Sequence, residues 1–390
     1  MGLCSVIYLD YHATTPVDPR VAEKVMAAMT TQFGNGSSMD HLVGDRSREA
    51  VEQAKQQIAD LINCQPKEII FTSGATESIN LTIQGTILHH EKQGKLPRIA
   101  ISAVEHKAVL DTCHYLEQQR RIELITLPVD RDANLDLNTV ENICRNGLDL
   151  LCIMAANNEV GTIYPIELIG AIAKQYSVPF FCDASQAVGK IPMNFADWGI
   201  TLLAMSGHKL YAPQGIGALI RKTDHPLELI LFGGGQQQGL RPGTLNLPGI
   251  VGLGEACHLR RLEMEADEKA IAAKRDYLQT QLIQAIPEIV VNGNQHQRLA
   301  GNLHLSLPGI PNSTIIARIR QQLAISTGSA CSSGTVTPSH VLRAMNLSND
   351  FIDGALRLGL GKFTTKQEID KAAEILIEVI KTTQTMLAMA

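Results

Sequence analysis

Short apolar runs alternating with helix-patterned stretches constrain this chain more than any other feature. Residues 98–102, 122–128, 150–154, 179–182, 202–205 and 217–220 form such runs, and each reads as a buried strand. Between them, residues 109–119, 138–144 and 166–176 keep apolar side chains at helical spacing. An earlier strand at 68–72 turns through Ser73 and Gly74 into a helical pattern that reaches residue 87. This alternation predicts an α/β fold, a mainly parallel sheet covered by helices on both faces. Ligands of such sheets bind beyond the carboxyl ends of the strands. Five polar clusters follow the strands here: Thr72-Ser73-Gly74, Glu105-His106, Asn157-Asn158-Glu159, Asp183-Ala184-Ser185-Gln186 and Ser206-Gly207-His208-Lys209. Together they predict one site along one edge of the sheet.

A chain of 390 residues exceeds one small core, so a large and a small domain are expected. A long charged helix over 252–286 is suited to joining them. Beyond it a smaller α/β unit is expected, with strands at 302–307 and 357–360 and a helix at 314–323. A last helix opens on Thr365-Lys366-Gln367-Glu368, a capping box. The expected division is 14–258 for the large domain, with 1–13 and 259–390 in the small one. The net charge of −5 supplies no basic face, which argues against direct nucleic-acid binding. No apolar stretch is long enough for a membrane helix, and no secretory signal is expected from the first residues. The eight cysteines are scattered without a Cys-x-x-Cys pair. That pattern suggests neither a zinc site nor a disulfide framework, and it fits a reducing cytoplasm. Cys152 and Cys182 sit in apolar strands and read as core residues.

Lys209 stands at the mouth of a strand, followed by a turn rich in glycine and proline. A loop lysine is most often a solvated charge. One walled by apolar residues loses its preference for the ammonium form and becomes a Schiff-base amine. Pyridoxal phosphate (PLP) is the cofactor that most often uses such a lysine, with an acidic partner for its ring nitrogen. The turn at Ser73-Gly74-Ala75-Thr76 opens a helix whose free amides suit a phosphate, although an ordinary cap is the commoner meaning. Cys331 lies in Gly328-Ser329-Ala330-Cys331-Ser332-Ser333-Gly334, a run of small residues with no apolar period. Such a run predicts a mobile, solvent-facing loop and makes its thiol a candidate nucleophile.

Several longer motifs occur in order: Tyr8-Leu9-Asp10-Tyr11-His12-Ala13-Thr14-Thr15-Pro16, Thr72-Ser73-Gly74-Ala75-Thr76-Glu77-Ser78, Glu105-His106-Lys107-Ala108-Val109, Asn157-Asn158-Glu159-Val160-Gly161, Asp183-Ala184-Ser185-Gln186, Ser206-Gly207-His208-Lys209 and Arg357-Leu358-Gly359-Leu360-Gly361-Lys362-Phe363-Thr364. Through them the chain resembles, over nearly its whole length, the PLP-dependent cysteine desulfurases of the NifS/IscS type within the class V aminotransferases. The resemblance implies a PLP-dependent transferase fold of type I, like that of aspartate aminotransferase. It implies that Lys209 forms the Schiff base and moves the substrate α-proton. Asp183 would pair with the ring nitrogen, and His106 would stack on the ring and serve in proton transfer. Gln186 and Asn158 would hydrogen-bond the ring or the substrate. Thr76, Ser206, His208 and the amide of Ala75 would hold the phosphate. Thr244 would reach the phosphate from a second subunit, which implies a homodimer. Arg357 would fork onto the substrate carboxylate, assisted by Asn35. Cys331 would take sulfur from L-cysteine as a persulfide, release L-alanine and pass the sulfur to an acceptor protein, such as an iron–sulfur scaffold or a carrier for tRNA thiolation. No resident metal is implied; Cys331 is the one residue expected to touch an iron–sulfur cluster, and only in passing.

The chain departs from that family in two places. In Asn35-Gly36-Ser37-Ser38-Met39-Asp40-His41 a glycine replaces the usual proline and one residue is added before the histidine. The stretch Gln236-Gln237-Gln238-Gly239-Leu240 and Pro242 differ from the usual charged run. The competing functions are a selenocysteine lyase, a PLP-dependent carbon–sulfur lyase or aminotransferase, and a catalytically silent scaffold on the same fold. Cys331 separates the first group from a desulfurase, and Lys209 together with Cys331 argues against the scaffold.

Overall fold

The computed structural model of the protein describes residues 6–327 and 338–389. A seven-stranded sheet runs in the order Ile69–Thr72, Gly217–Arg221, Leu202–Ser206, Phe180–Asp183, Leu150–Cys152, Arg98–Ser102 and Glu123–Leu127. Its central strands are buried throughout, which is why they read as continuous apolar runs. Alternate residues serve opposite faces. Leu151, Phe180, Cys182, Leu203 and Met205 pack into one core, whereas Leu150, Cys152, Phe181, Leu202 and Ala204 pack into another on the far side. The expected core positions of Cys152 and Cys182 are realised, both being fully buried.

One strand breaks the parallel order. Gly217–Arg221 is antiparallel to both of its neighbours. The connection from Ser206 holds a single 3-10 turn, Gly207–Lys209, instead of a crossover helix. A parallel return needs a dozen or more residues, so this short link folds back as a hairpin. Lys209 therefore sits in the hairpin loop at the carboxyl end of Leu202–Ser206.

A separate apolar core gathers Leu9, Ile271, Leu278, Leu303, Leu305, Leu356, Leu358 and Leu376. It holds an antiparallel sheet in the order Ala355–Gly359, Asn302–Ser306, Val290–Val291, with the helix Lys366–Met389 packed on it. The helix Leu247–Ala285 links the two cores. Its 39 residues span about 58 Å at 1.5 Å per residue. Ile250, Leu253 and Cys257 serve the first core, and Ile271, Leu278 and Leu282 the second. The chain near its C-terminal end is shared: Val341, Leu342, Met345 and Ile352 return to the first core.

The expected helix at 314–323 is shorter than its pattern. It spans Asn312–Ile319, and Leu323–Ala324 forms a strand parallel to Ile7–Tyr8. Ile315, Ile319 and Leu323 keep a four-residue spacing and all reach the second core, the last of them from a strand. The altered segment near residue 237 has a clear structural use. The Phe71 N–H donates to Gln237 Oε1 at 2.6 Å, and Gln237 Nε2 donates to the Phe71 carbonyl at 2.9 Å. A side-chain amide thus covers part of an edge strand that would otherwise present unpaired backbone groups.

Candidate active site

Carboxyl ends of the parallel strands, the hairpin loop and the N-terminal segment enclose a cavity of about 640 Å³. Ala75, Thr76, His106, Asn158, Asp183, Gln186, Ser206, His208, Lys209 and Arg357 all line it. Sequence positions spread across most of the chain thus meet at one hollow. Lys209 Nζ donates to the backbone carbonyls of His12 at 2.6 Å and Ala13 at 2.7 Å. These contacts hold the amine at the cavity wall.

Asp183 ends its strand and is buried. Its Oδ1 accepts from the Ser185 N–H at 3.0 Å and the Ser185 hydroxyl at 2.5 Å. The carboxylate is thereby fixed through one oxygen, and among the described residues the second accepts no hydrogen bond. His106 caps the helix Lys107–Gln118, with Nδ1 accepting from the Ala108 N–H at 3.1 Å. The neutral ring therefore carries its proton on Nε2. His208 Nδ1 lies 3.1 Å from the Thr14 hydroxyl. Burial, and then the charges of Lys209 and Lys190, push its pKa down to about 4, so the imidazole is neutral near pH 7.

The helix Ala75–Lys92 starts at Gly74, whose φ of 153° favours glycine. Gly74 supplies no side-chain cap, and Gly74, Ala75 and Thr76 line the cavity. An uncapped helix start facing a hollow, with the hydroxyls of Thr76 and Ser206 beside it, suits a phosphate. The donor set as a whole, an amine, a half-engaged carboxylate and an open helix N-terminus, fits PLP.

Arg357 reaches the cavity from the antiparallel sheet. Its Nη2 donates to Asp10 Oδ1 at 2.8 Å and its Nη1 to the Asn158 carbonyl at 2.9 Å. Its Nε is buried with no partner among the described residues, an unmet donor of the kind that a bound carboxylate satisfies. Burial raises the pKa of Asp10 while Arg357 lowers it. For Arg357→Lys, a point charge replaces a planar fork. The KM for an amino-acid substrate is expected to rise roughly tenfold to a hundredfold with kcat much less affected. An equal fall in kcat with unchanged KM would remove Arg357 from carboxylate binding.

Two expected positions do not reach this cavity within one chain. Asn35 is exposed, and its Oδ1 accepts from the Ser37 N–H at 3.0 Å in a local turn. Thr244 is exposed and lines a separate shallow hollow with Phe232 and Arg241. Cys331 lies outside the described residues. Its described flanks are tied to the site. Ser326 pairs through its backbone with Arg357, and the Ser339 hydroxyl donates to Glu159 Oε2 at 2.5 Å. Burial raises the Glu159 carboxyl to about 7. Sequence reasoning assigns no role to His12, Ala13, Asp10 or Lys190. The first three lie inside a motif quoted above; Lys190 carries no sequence signal.

The class-V aminotransferase profile matches residues 7–372. The chain belongs to the class-V aminotransferase family. As a member it takes pyridoxal phosphate as its cofactor. Among curated proteins, this class-V enzyme is 43% identical over 384 residues to cysteine desulfurase IscS of Shewanella woodyi, covering 97% of this chain and 94% of that one. It is 42% identical over 377 residues to a mitochondrial cysteine desulfurase of Arabidopsis thaliana, covering 96% of this chain and 82% of the relative. Among solved structures it superposes on a NifS-like protein with a TM-score of 0.90 at 31% identity, covering 97% of this chain and all of that one. A second match, SspA in complex with cysteine, has a TM-score of 0.81 at 32% identity and covers 92% of this chain and all of that one.

Proposed function

We propose that this class-V aminotransferase is a cysteine desulfurase that moves sulfur from L-cysteine to Cys331 and releases L-alanine. The observation that carries it is the meeting of Lys209, Asp183 and Arg357 around one cavity, in a chain more than 40% identical to curated cysteine desulfurases over nearly its whole length. PLP, when bound, withdraws electrons from the substrate and so weakens its carbon–sulfur bond. Arg357 binds the substrate carboxylate through its guanidinium. Lys209 and His106 accept and return protons at the substrate carbons. Asp183 keeps a positive charge on the ring nitrogen through its free oxygen. Ala75, Thr76, Ser206 and His208 hold the phosphate, and Gln186 and Asn158 orient the ring and substrate. The Cys331 thiolate attacks the substrate sulfur. The sulfur–sulfur bond forms as the carbon–sulfur bond breaks; the carbon keeps the electron pair and takes the proton that Cys331 lost. The ties of Ser326 to Arg357 and of Ser339 to Glu159 support this role, because they anchor the chain on both sides of Cys331 beside the cavity.

The protein acts as a homodimer in which Thr244 of a second copy completes the phosphate site, which accords with its exposure outside the cavity of its own chain. Asn35 assists Arg357 only in a rearranged or assembled form. The division into 14–258 and 1–13 with 259–390 accords with the separate core that joins Leu9 to residues between 271 and 380, although Val341, Leu342, Met345 and Ile352 pack with the large sheet. The sulfur acceptor is a carrier or scaffold protein for iron–sulfur assembly or tRNA thiolation, and the compartment is the cytoplasm. No helix among the described residues is long and apolar enough to cross a membrane.

The test is incubation with L-cysteine, with alanine assayed and the peptide carrying Cys331 weighed by mass spectrometry. Alanine and one added sulfur on that peptide are expected. Cys331→Ala should lose transfer about a hundredfold or more in the presence of an acceptor thiol. Undiminished turnover of cysteine by that variant would reassign the protein as a lyase.

A further inference from the structure

Lys190 is a half-buried lysine four residues beyond Gln186, beside the cavity wall and not part of it. Among the described residues it forms no ion pair, and its one hydrogen bond is from Nζ to Gln186 Oε1 at 2.7 Å. The charged and titratable groups that face it are Lys209 and His208 from the hairpin, Arg260 and Glu268 from the long helix, Arg357 from the small sheet, and His12 from the N-terminal segment. Burial, followed by the charge of Lys209, lowers its pKa to about 7, with Glu268 opposing. A lysine placed near Lys209, Arg260 and Arg357 is costly to charge.

Its contact has a definite consequence. Lys190 donates to the Gln186 oxygen, and His12 Nδ1 lies 3.3 Å from the same oxygen. The amide nitrogen then faces the other way. One of its N–H groups meets the His12 carbonyl at 3.0 Å, the same carbonyl that receives Lys209 Nζ. The second N–H belongs to a side chain on the cavity wall. Lys190, Gln186, His12 and Lys209 thus form one continuous chain of contacts ending at the reactive amine.

We propose that Lys190 is a positioning residue for the cofactor: it holds the Gln186 amide with its donor side toward the cavity, so that an anionic oxygen on the ring is favoured. This rests on the PLP reading of the cavity. An anionic ring oxygen that loses a donor attracts the proton of the linkage between Lys209 and the cofactor more strongly, and that proton becomes harder to remove.

The experiment titrates the visible absorbance of the full-length holoenzyme from neutral to alkaline pH, with thermal melting run alongside. K190M should move the spectral midpoint upward by about one pH unit. K190Q keeps a donor without the charge and should move it part of the way. K190R keeps both and should restore the original midpoint. An intact band whose midpoint stays put in K190M and K190Q overturns the inference, and so does a K190R midpoint displaced as far as that of K190M. Should K190M fail to fold, the K190Q and K190R pair separates the same two outcomes. A wild-type protein that shows no cofactor band would instead remove the PLP reading itself.

Discussion

Lys209→Ala is expected to give a folded protein that never develops the visible band on addition of PLP. Its release of alanine from cysteine should fall about 10⁴-fold. The reason is local. Lys209 is the cavity residue whose amine can bond covalently to an aldehyde and then serve as a base. Its Nζ is held at the wall by the carbonyls of His12 and Ala13. Removing it leaves two acceptors beside a hollow that water can enter, so the fold should survive. Lys209→Arg separates charge from chemistry. It keeps a cation near those carbonyls but has no amine that deprotonates, and it should be as inactive as the alanine variant. A Lys209→Ala protein that keeps about a tenth of the activity would remove this lysine from the centre of the reaction.

Asp183→Asn is expected to lower kcat by roughly 10²- to 10³-fold while the cofactor stays bound. The substitution is close to neutral for the fold, because the amide oxygen of asparagine can still accept from the Ser185 N–H and hydroxyl that now engage Oδ1. What it removes is negative charge on the other side of the group. A neutral amide cannot hold a proton on the ring nitrogen, so the ring accepts electrons poorly. The residues proposed for the phosphate, Ala75, Thr76 and Ser206, are untouched, so dialysis should find the cofactor retained. A kcat within about threefold of the original would mean that the ring nitrogen needs no acidic partner here.

Much of the architecture is legible along the chain. The buried strands Leu150–Cys152, Phe180–Asp183 and Leu202–Ser206 stand out because both faces of a covered sheet demand apolar residues. The polar clusters after them are legible because carboxyl ends of parallel strands face a common hollow. Two features stay hidden for physical reasons. The antiparallel strand Gly217–Arg221 carries an apolar run like those of the parallel strands, and only the short link before it signals its direction. The false extension of the helix Asn312–Ile319 arises because Leu323 keeps helical spacing while reaching the core from a strand.

Local periodicity reports burial, and burial alone determined the element pattern, the α/β class and the edge on which the chemistry gathers. Partnerships between distant residues leave no such trace. Asp10 steadies Arg357 from 347 positions away, and the carbonyl of His12 receives Lys209 across 197. Only the folded chain decided that Lys190 stands behind Gln186 and that Thr244 and Asn35 lie outside the cavity of their own chain. A hydrogen bond needs donor and acceptor within about 3 Å, and that distance is set by how sheets and helices pack, not by the residues adjoining either partner.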